Sequence, residues 1–447
     1  MKAARLVRVT FSPAIARCHT FSSVSAASAT DSGKKKHYSL VVIGGGSGGC
    51  SIAAKFCRRL GKGKVAVVEP AEHHYYQPLW TLVGSGLKTV DQSARAMEAV
   101  LPKHCDWLKT QAVEFSPEKN TVHLQNGDQL IYDFLVVAMG IQINSDKVKG
   151  LPEALKSDPS VCSNYFRETV EKTYPAIKNF KGGNAIFTFP NTPIKCSGAP
   201  QKIMYLAEEH WNKAGIRDKT NIMFNSSLGV LYPVKKYGDR LLEIVKERHL
   251  TLNLKRSLIE IRPNKKEAIF QKLDEEGKTE TYKYDFIHVT PPMSAPDVLI
   301  KCTNLTDPTG FLSVNKNTLQ HTKYPNIFGI GDCTNVPTSK TTSAVAAQCG
   351  VLEKSLVDAM AGKIPGGKYD GYTSCPLLVG YSQCILAEFD YEGQSLETFP
   401  FDQSKRRRSM YHVKKDILPK IYWNVMLKGH WNGPQTFRRI MHFGKDR

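Results

Sequence analysis

The chain has 447 residues, enough for two or three domains with substantial cores, and its 41% hydrophobic content is that of a globular protein. Eleven cysteines, an odd number in a long chain, argue against a secreted disulfide scaffold. The net charge of +20 sits at the ends, +6 over residues 1–36 and +10 over 405–447 against +4 between them, which argues against a nucleic-acid-binding body.

Residues 1–36 are rich in Arg, Ser and Ala, hold no acid before Asp31, and interleave Leu6, Val7, Val9 and Phe11 with arginines. This is the composition of a mitochondrial transit peptide, and no long apolar core marks a secretory signal. The fold is therefore expected from His37. An apolar strand from Ser39 to Ile43, a glycine turn, a helix through Ala53 and Ala54, and a second strand from Val65 to Val68 ending on Glu69 follow in register. Gly44, Gly46 and Gly49 fit G-x-G-x-x-G, with Ser47 and Gly48 inside the turn, and Glu69 falls where an acid can hold a ribose hydroxyl. Gly44 permits the sharp turn, Gly46 lets the backbone approach a pyrophosphate, and Gly49 packs helix on strand. His73 and His74 suggest a metal, but no Cys or His follows at ligand spacing, so no metal site is expected.

A β meander is expected over Trp107–Phe115, Thr121–Leu124 and Gln129–Tyr132, turning at Asn126-Gly127, and leading into a fully buried strand over Asp133–Gly140 that closes on a glycine. Gly150-Leu151-Pro152 opens a polar linker. A second α/β unit then repeats the layout: strand Ala185–Phe189, loop Pro190–Gly198, and a helix from Ala199 through Met204, Leu206 and Ala207. Its loop carries two prolines and Cys196 where glycines would stand, so it is unfitted to cradle a second dinucleotide. Strands at Asn221–Phe224 and Phe286–Thr290 and a helix over Gly238–Arg248 complete the unit.

The chain returns to the first domain at Tyr324–Asp332, where a buried strand delivers Asp332 to its end. A helix starts at Thr338–Thr341, and its N-terminus with Lys340 suits negative charge. Cys375, beside Pro376, is expected on a turn. Lys195 and the helix behind Cys196 are expected to stabilise a Cys196 thiolate. In the last segment Ile417, Leu418, Ile421, Tyr422, Val425 and Met426 fall on one helical face among lysines, with Trp423, Trp431, Phe437 and Phe443 as interfacial anchors. No run of 18 apolar residues exists, so attachment to one leaflet is expected and no span.

Several blocks resemble the two-dinucleotide-domain flavoproteins and, more closely, the mitochondrial sulfide:quinone oxidoreductase family of the animal type. They are Val68-Glu69-Pro70, Tyr76–Leu82, Thr188–Cys196, Gly331–Asn335, Tyr369–Pro376 and Phe399–Ser404. The resemblance implies an α/β fold of two tandem Rossmann-like three-layer domains with a membrane-docking amphipathic tail. It divides the chain into a transit peptide (1–36), a first part of the FAD domain (37–150), a second Rossmann-like domain carrying Cys196 (151–300), a second part of the FAD domain carrying Cys375 (301–390), and a membrane- and quinone-associated tail (391–447).

The same resemblance implies FAD on Gly44, Gly46, Ser47, Gly48, Gly49, Glu69, Gln77, Asp332 and Lys340, and a redox pair of Cys196 and Cys375. Hydrogen sulfide attacks the bridged pair, Cys375 carries the persulfide, Cys196 attacks the flavin, and two electrons leave to ubiquinone. A small thiol such as glutathione, sulfite, or sulfide itself removes the sulfane sulfur. The enzyme is then expected on the mitochondrial inner membrane, bound to one face, with Phe401 and Tyr411 as candidates against the quinone ring. Some bacterial members use a third cysteine, and neither Cys105 nor Cys162 matches it. Two rivals remain: a type II NAD(P)H:quinone oxidoreductase, which would show a second glycine fingerprint after Phe189, and a non-catalytic flavin-bearing scaffold, which would tolerate loss of both cysteines.

Overall fold

The structure, a computed structural model, describes residues 33–444, so all but the last four residues of the expected transit segment lie outside the described residues. The first strand, Lys35–Ile43, begins inside that segment, with Lys35 and Lys36 paired to Gln129 and Leu130. Its second half, together with Val65–Val68 and the end of Gln129–Val137, forms the parallel centre of a seven-stranded sheet. Leu40, Val41, Val42, Val65, Ala66, Val67, Leu135 and Val136 are fully buried, as strands covered on both faces require.

The meander is present, but its last strand and the following buried strand are one element. Gln129–Val137 pairs antiparallel with Thr121–Leu124 at its start and parallel with Ile327–Gly329 at its end. The exposed Asp133 marks where the neighbour changes along one continuous strand. By this pairing the chain re-enters the first sheet, bringing Asp332 to the glycine-loop edge.

The second sheet is parallel and five-stranded, in the spatial order Val161–Cys162, Phe286–His288, Gly183–Phe189, Thr220–Ser226, Thr251–Leu254. Helices Arg167–Asn179, Ala199–Lys213 and Lys235–Glu247 accompany it, and Trp211, Tyr205 and Tyr237 are fully buried among them. An antiparallel three-stranded sheet, Arg256–Arg262, Glu267–Lys272 and Thr279–Lys283, was not expected from the sequence. Its alternation of charged and apolar residues is the mark of a sheet with one wet face.

Cys375 lies in a strand and not on a turn. Thr373–Gly380 and Gln383–Phe389 form an antiparallel ribbon in which Cys375 faces Ala387. A two-stranded ribbon leaves one edge of each strand unpaired, and Pro376, which has no N–H to donate, is tolerated there. The tail continues as a helix from Arg408 through Met426, with wide π-turns at Val413–Ile417 and Tyr422–Met426, and ends in the helix Gln435–Met441. Its apolar face is turned inward only in part: Tyr422 and Met426 are 2% and 3% exposed, while Ile417 and, further on, Phe437, Ile440 and Phe443 are exposed. No helix among the described residues is long and apolar enough to cross a membrane.

Candidate functional site

A cavity of about 900 Å³ is lined at once by the glycine loop (Gly44, Gly45, Gly46, Ser47, Gly48), Glu69, Gln77, Asp332, Lys340 and Cys196. The strand Lys35–Ile43 and the helix Ser47–Leu60 meet at its floor, and each glycine there has its own reason. Gly44 takes φ +103°, and an added Cβ would lie 2.4 Å from the Ala138 carbonyl oxygen. An added Cβ on Gly49 would fall 1.8 Å from the Gly44 oxygen. At Gly46 it would meet nothing within 4 Å of the protein, so the bare backbone there is open to a ligand. Gly45, which the fingerprint leaves variable, is fixed by Glu69: its N–H donates to Glu69 Oε2 at 2.7 Å, and a Cβ would strike the Glu69 side chain. The Ala71 N–H holds the other carboxylate oxygen at 2.8 Å.

A buried polar chain ties the tail to this loop. His74 Nδ1 lies 2.9 Å from the Gly45 carbonyl oxygen, and His74 Nε2 lies 2.5 Å from the Tyr422 hydroxyl, which is 2.8 Å from Ser47 Oγ. Burial lowers the His74 pKa to about 4, so the ring is neutral at pH 7. A carbonyl only accepts; Nδ1 therefore carries the proton, Tyr422 donates to Nε2, and Ser47 donates to Tyr422.

The two thiols, 179 residues apart in the chain, meet with their sulfurs 3.6 Å apart. Cys196 ends the loop of the second unit in a left-handed conformation, φ +59°, anchored by its N–H to the Lys340 carbonyl oxygen at 2.7 Å. Gly198 admits the ribbon: an added Cβ there would lie 2.5 Å from Cys375 Sγ. Cys196 lines the cavity, whereas Cys375, 1% exposed, is not among the lining residues and stands behind it.

The cation at this pair is Lys202, not the neighbouring Lys195. Lys202, 3% exposed on the helix Ala199–Lys213, donates to Cys196 Sγ at 3.3 Å. Lys195 turns to Gln77 Oε1 at 2.7 Å and the Tyr165 carbonyl oxygen at 3.3 Å, and burial lowers its pKa to about 8. The hydrogen bond from Cys375 and the Lys202 ammonium hold the Cys196 thiol well below its ordinary range; the same bond and burial drive Cys375 well above it. A second buried ammonium, Lys414 of the tail, donates to the Pro78 carbonyl oxygen at 2.8 Å, and burial lowers its pKa to about 8.

Of the nine residues expected around a dinucleotide, all but Gly49 line this cavity, and the Lys340 side chain is engaged otherwise than expected. The Lys340 ammonium is bound to the Asp332 and Thr334 carbonyl oxygens at 2.7 and 3.0 Å and lies over Phe311. The helix after it starts at Thr342, capped by Thr341, whose hydroxyl accepts from the Ala344 N–H. Asp332 is pushed up by burial. Asn164, buried in the wall with neither its amide oxygen nor nitrogen partnered, fits a polar ligand edge. No role in this site was read from the sequence for Lys202, Lys414, His74, Tyr422 or Asn164; a lysine interrupting the buried face of a helix, as Lys202 does before Ile203 and Met204, was the one readable signal. At the outer end the lining aromatics are Phe399, Trp431 and Phe437, not Phe401 or Tyr411. Phe401 stacks behind Phe399 at 5.3 Å. Cys105 and Cys162 do not line the cavity.

The family model described as pyridine nucleotide-disulphide oxidoreductase matches residues 38–173. The mitochondrial sulfide:quinone oxidoreductase of Mus musculus is 53% identical over 410 residues, covering 92% of this chain and 91% of that protein. Its namesake in Dictyostelium discoideum is 46% identical over 400 residues, covering 89% and 87%. Among solved structures, the sulfide:quinone oxidoreductase of Aquifex aeolicus shares the fold with a TM-score of 0.74 at 20% identity, over 91% of this chain and 95% of that one.

Proposed function

Because the chain belongs to the mitochondrial sulfide:quinone oxidoreductase family, we propose that it oxidises sulfide at Cys196 and Cys375 and delivers two electrons through FAD to a quinone. The observation that carries this reading is the meeting of two remote thiols, one of them on the wall of a dinucleotide-sized cavity and the other directly behind it. Gly44, Gly46, Ser47 and Gly48 would hold the pyrophosphate, with Gly49 packing their helix on the strand, Glu69 the ribose, and Gln77, Asp332 and Lys340 the far end of FAD. When bound, FAD accepts the electron pair and passes it on.

The chain's own residues divide the sulfur chemistry between them. Sulfurs 3.6 Å apart need to close by about 1.5 Å to bond directly at the usual ~2.05 Å, or can hold one bridging sulfur between them. Hydrosulfide attacks on the Cys375 side, and the electron pair of the broken S–S bond goes to Cys196, beside the Lys202 ammonium. Cys375 keeps the sulfane sulfur until a small thiol, sulfite or sulfide takes it. Cys196, which faces the cavity, is the sulfur from which electrons leave as the pair is restored.

The quinone enters at the tail. Phe437 lines the cavity and is itself 42% exposed, and the exposed Arg439, Ile440 and Phe443 follow it in the chain, while Arg438 turns inward over Tyr372. Aromatic and aliphatic side chains beside an arginine suit the headgroup level of one leaflet, so the molecule docks peripherally, on the mitochondrial inner membrane. Anaerobic stopped-flow tests the reading: sulfide bleaches the flavin of the purified holoprotein and NADH does not. Bleaching by NADH with no response to sulfide overturns it.

A further inference from the structure

A buried hydroxyl without a partner is costly, so one retained beside a reacting atom calls for a reason. Tyr232, in the connection between the strand Thr220–Ser226 and the helix Lys235–Glu247, is 3% exposed and its hydroxyl has no hydrogen-bond partner. The ring packs edge-on against Phe389 at 6.4 Å. Phe389 pairs with Thr373 in the ribbon and Ala387 pairs with Cys375, so residues 389, 387 and 375 share one face, and Tyr232 covers the face that carries Cys375. Burial first, and then the charge of the Cys375 and Cys196 sulfurs, hold the phenol well above its ordinary pKa, so it stays protonated and able to donate. Neither Tyr232 nor Cys375 is among the residues lining the cavity.

The pair is served unequally. The Cys196 sulfur receives the Lys202 ammonium at 3.3 Å. Cys375, whose thiol is driven up by its partner and by burial, is the poorer leaving group. We propose that the Tyr232 hydroxyl donates a hydrogen bond to the Cys375 sulfur as it leaves, making Tyr232 a catalytic residue for sulfur release and not for sulfide capture. This rests on Cys375 carrying the persulfide, as above. In capture, hydrosulfide bonds to the Cys375 sulfur and the pair from the broken S–S bond goes to Cys196. In release, the acceptor bonds to the outer sulfur, the bond between outer and inner sulfur breaks, and its electron pair goes to Cys375. No external oxidant is consumed in either step, and in the second the charge develops on the sulfur whose ribbon face Tyr232 covers.

The test is Tyr232→Phe in the holoenzyme, which removes one oxygen and keeps the ring. Rapid quench with an alkylating reagent, read by mass spectrometry, follows the persulfide on Cys375 as it forms with one equivalent of sulfide and decays on addition of sulfite. Formation stays within twofold of wild type, decay slows about 10- to 100-fold, and the thermal midpoint is unchanged or raised. 3-Fluorotyrosine at position 232, a stronger donor of the same shape, speeds the decay. Decay at the wild-type rate in Tyr232→Phe, or equal slowing of both phases, overturns the role of Tyr232. Absence of any persulfide on Cys375 in the wild type instead overturns the reading on which it rests.

Discussion

Cys196 shows what the local chain gives up to build this site. A left-handed φ of +59° at a non-glycine residue costs on the order of 1 kcal/mol, and the N–H bond to the Lys340 carbonyl oxygen holds it there. The same twist sends Lys195 away, toward Gln77, and leaves Lys202, six residues on, as the cation against the sulfur. Both cysteines were legible in the sequence, but their electrostatic partner was not, because neighbours in sequence point apart when the backbone between them turns left-handed. Lys202→Met therefore raises the pH at which Cys196 of the reduced enzyme becomes reactive. Its thiol is held below the ordinary range partly by that ammonium, so the thiolate fraction at pH 7 falls and turnover with sulfide drops about 10- to 100-fold. The pH dependence of iodoacetamide labelling checks this; a profile unmoved by the substitution contradicts it.

At the scale of elements, the glycine loop and its strands were readable because each requirement is local, while Gln129–Val137 was divided in two because its neighbour changes at Asp133 and only the fold supplies the neighbour. The turn expected at Cys375 failed similarly: Pro376 reads as a breaker unless a two-stranded ribbon leaves its edge free. The loop gives a discriminating pair of variants. Gly46→Ala, whose new methyl meets no protein atom within 4 Å and whose φ of −72° suits any residue, folds normally but retains FAD at least tenfold more weakly. Gly49→Ala, which would place Cβ 1.8 Å from the Gly44 oxygen, loses stability by about 1–3 kcal/mol or fails to fold. Thermal unfolding beside flavin content in the purified proteins separates the two, and a Gly46→Ala protein with full flavin content would show that this opening is not used.

Over the whole molecule, the tail completes the cavity wall and also presents an apolar surface. Tyr422 reaches Ser47 and His74 in the interior, while Phe437, Ile440 and Phe443 lie outside. The sequence pattern showed an amphipathic tail but not which apolar residues face inward, since that depends on the surface of a domain more than 300 residues earlier in the chain. Replacing Phe437, Ile440 and Phe443 by Ser should abolish co-sedimentation with anionic vesicles and cut quinone reduction in liposomes at least tenfold, with sulfide bleaching of the flavin intact. Removal of everything after Arg407 should release the flavin as well, because the Tyr422 contact goes with it. The account as a whole depends on the two sulfurs acting as one unit, and the most direct measurement is sulfide-dependent flavin reduction in Cys196→Ser and Cys375→Ser, each purified with FAD. Each variant is predicted to lose at least a thousandfold in rate; either one reducing its flavin with sulfide near the wild-type rate would contradict it.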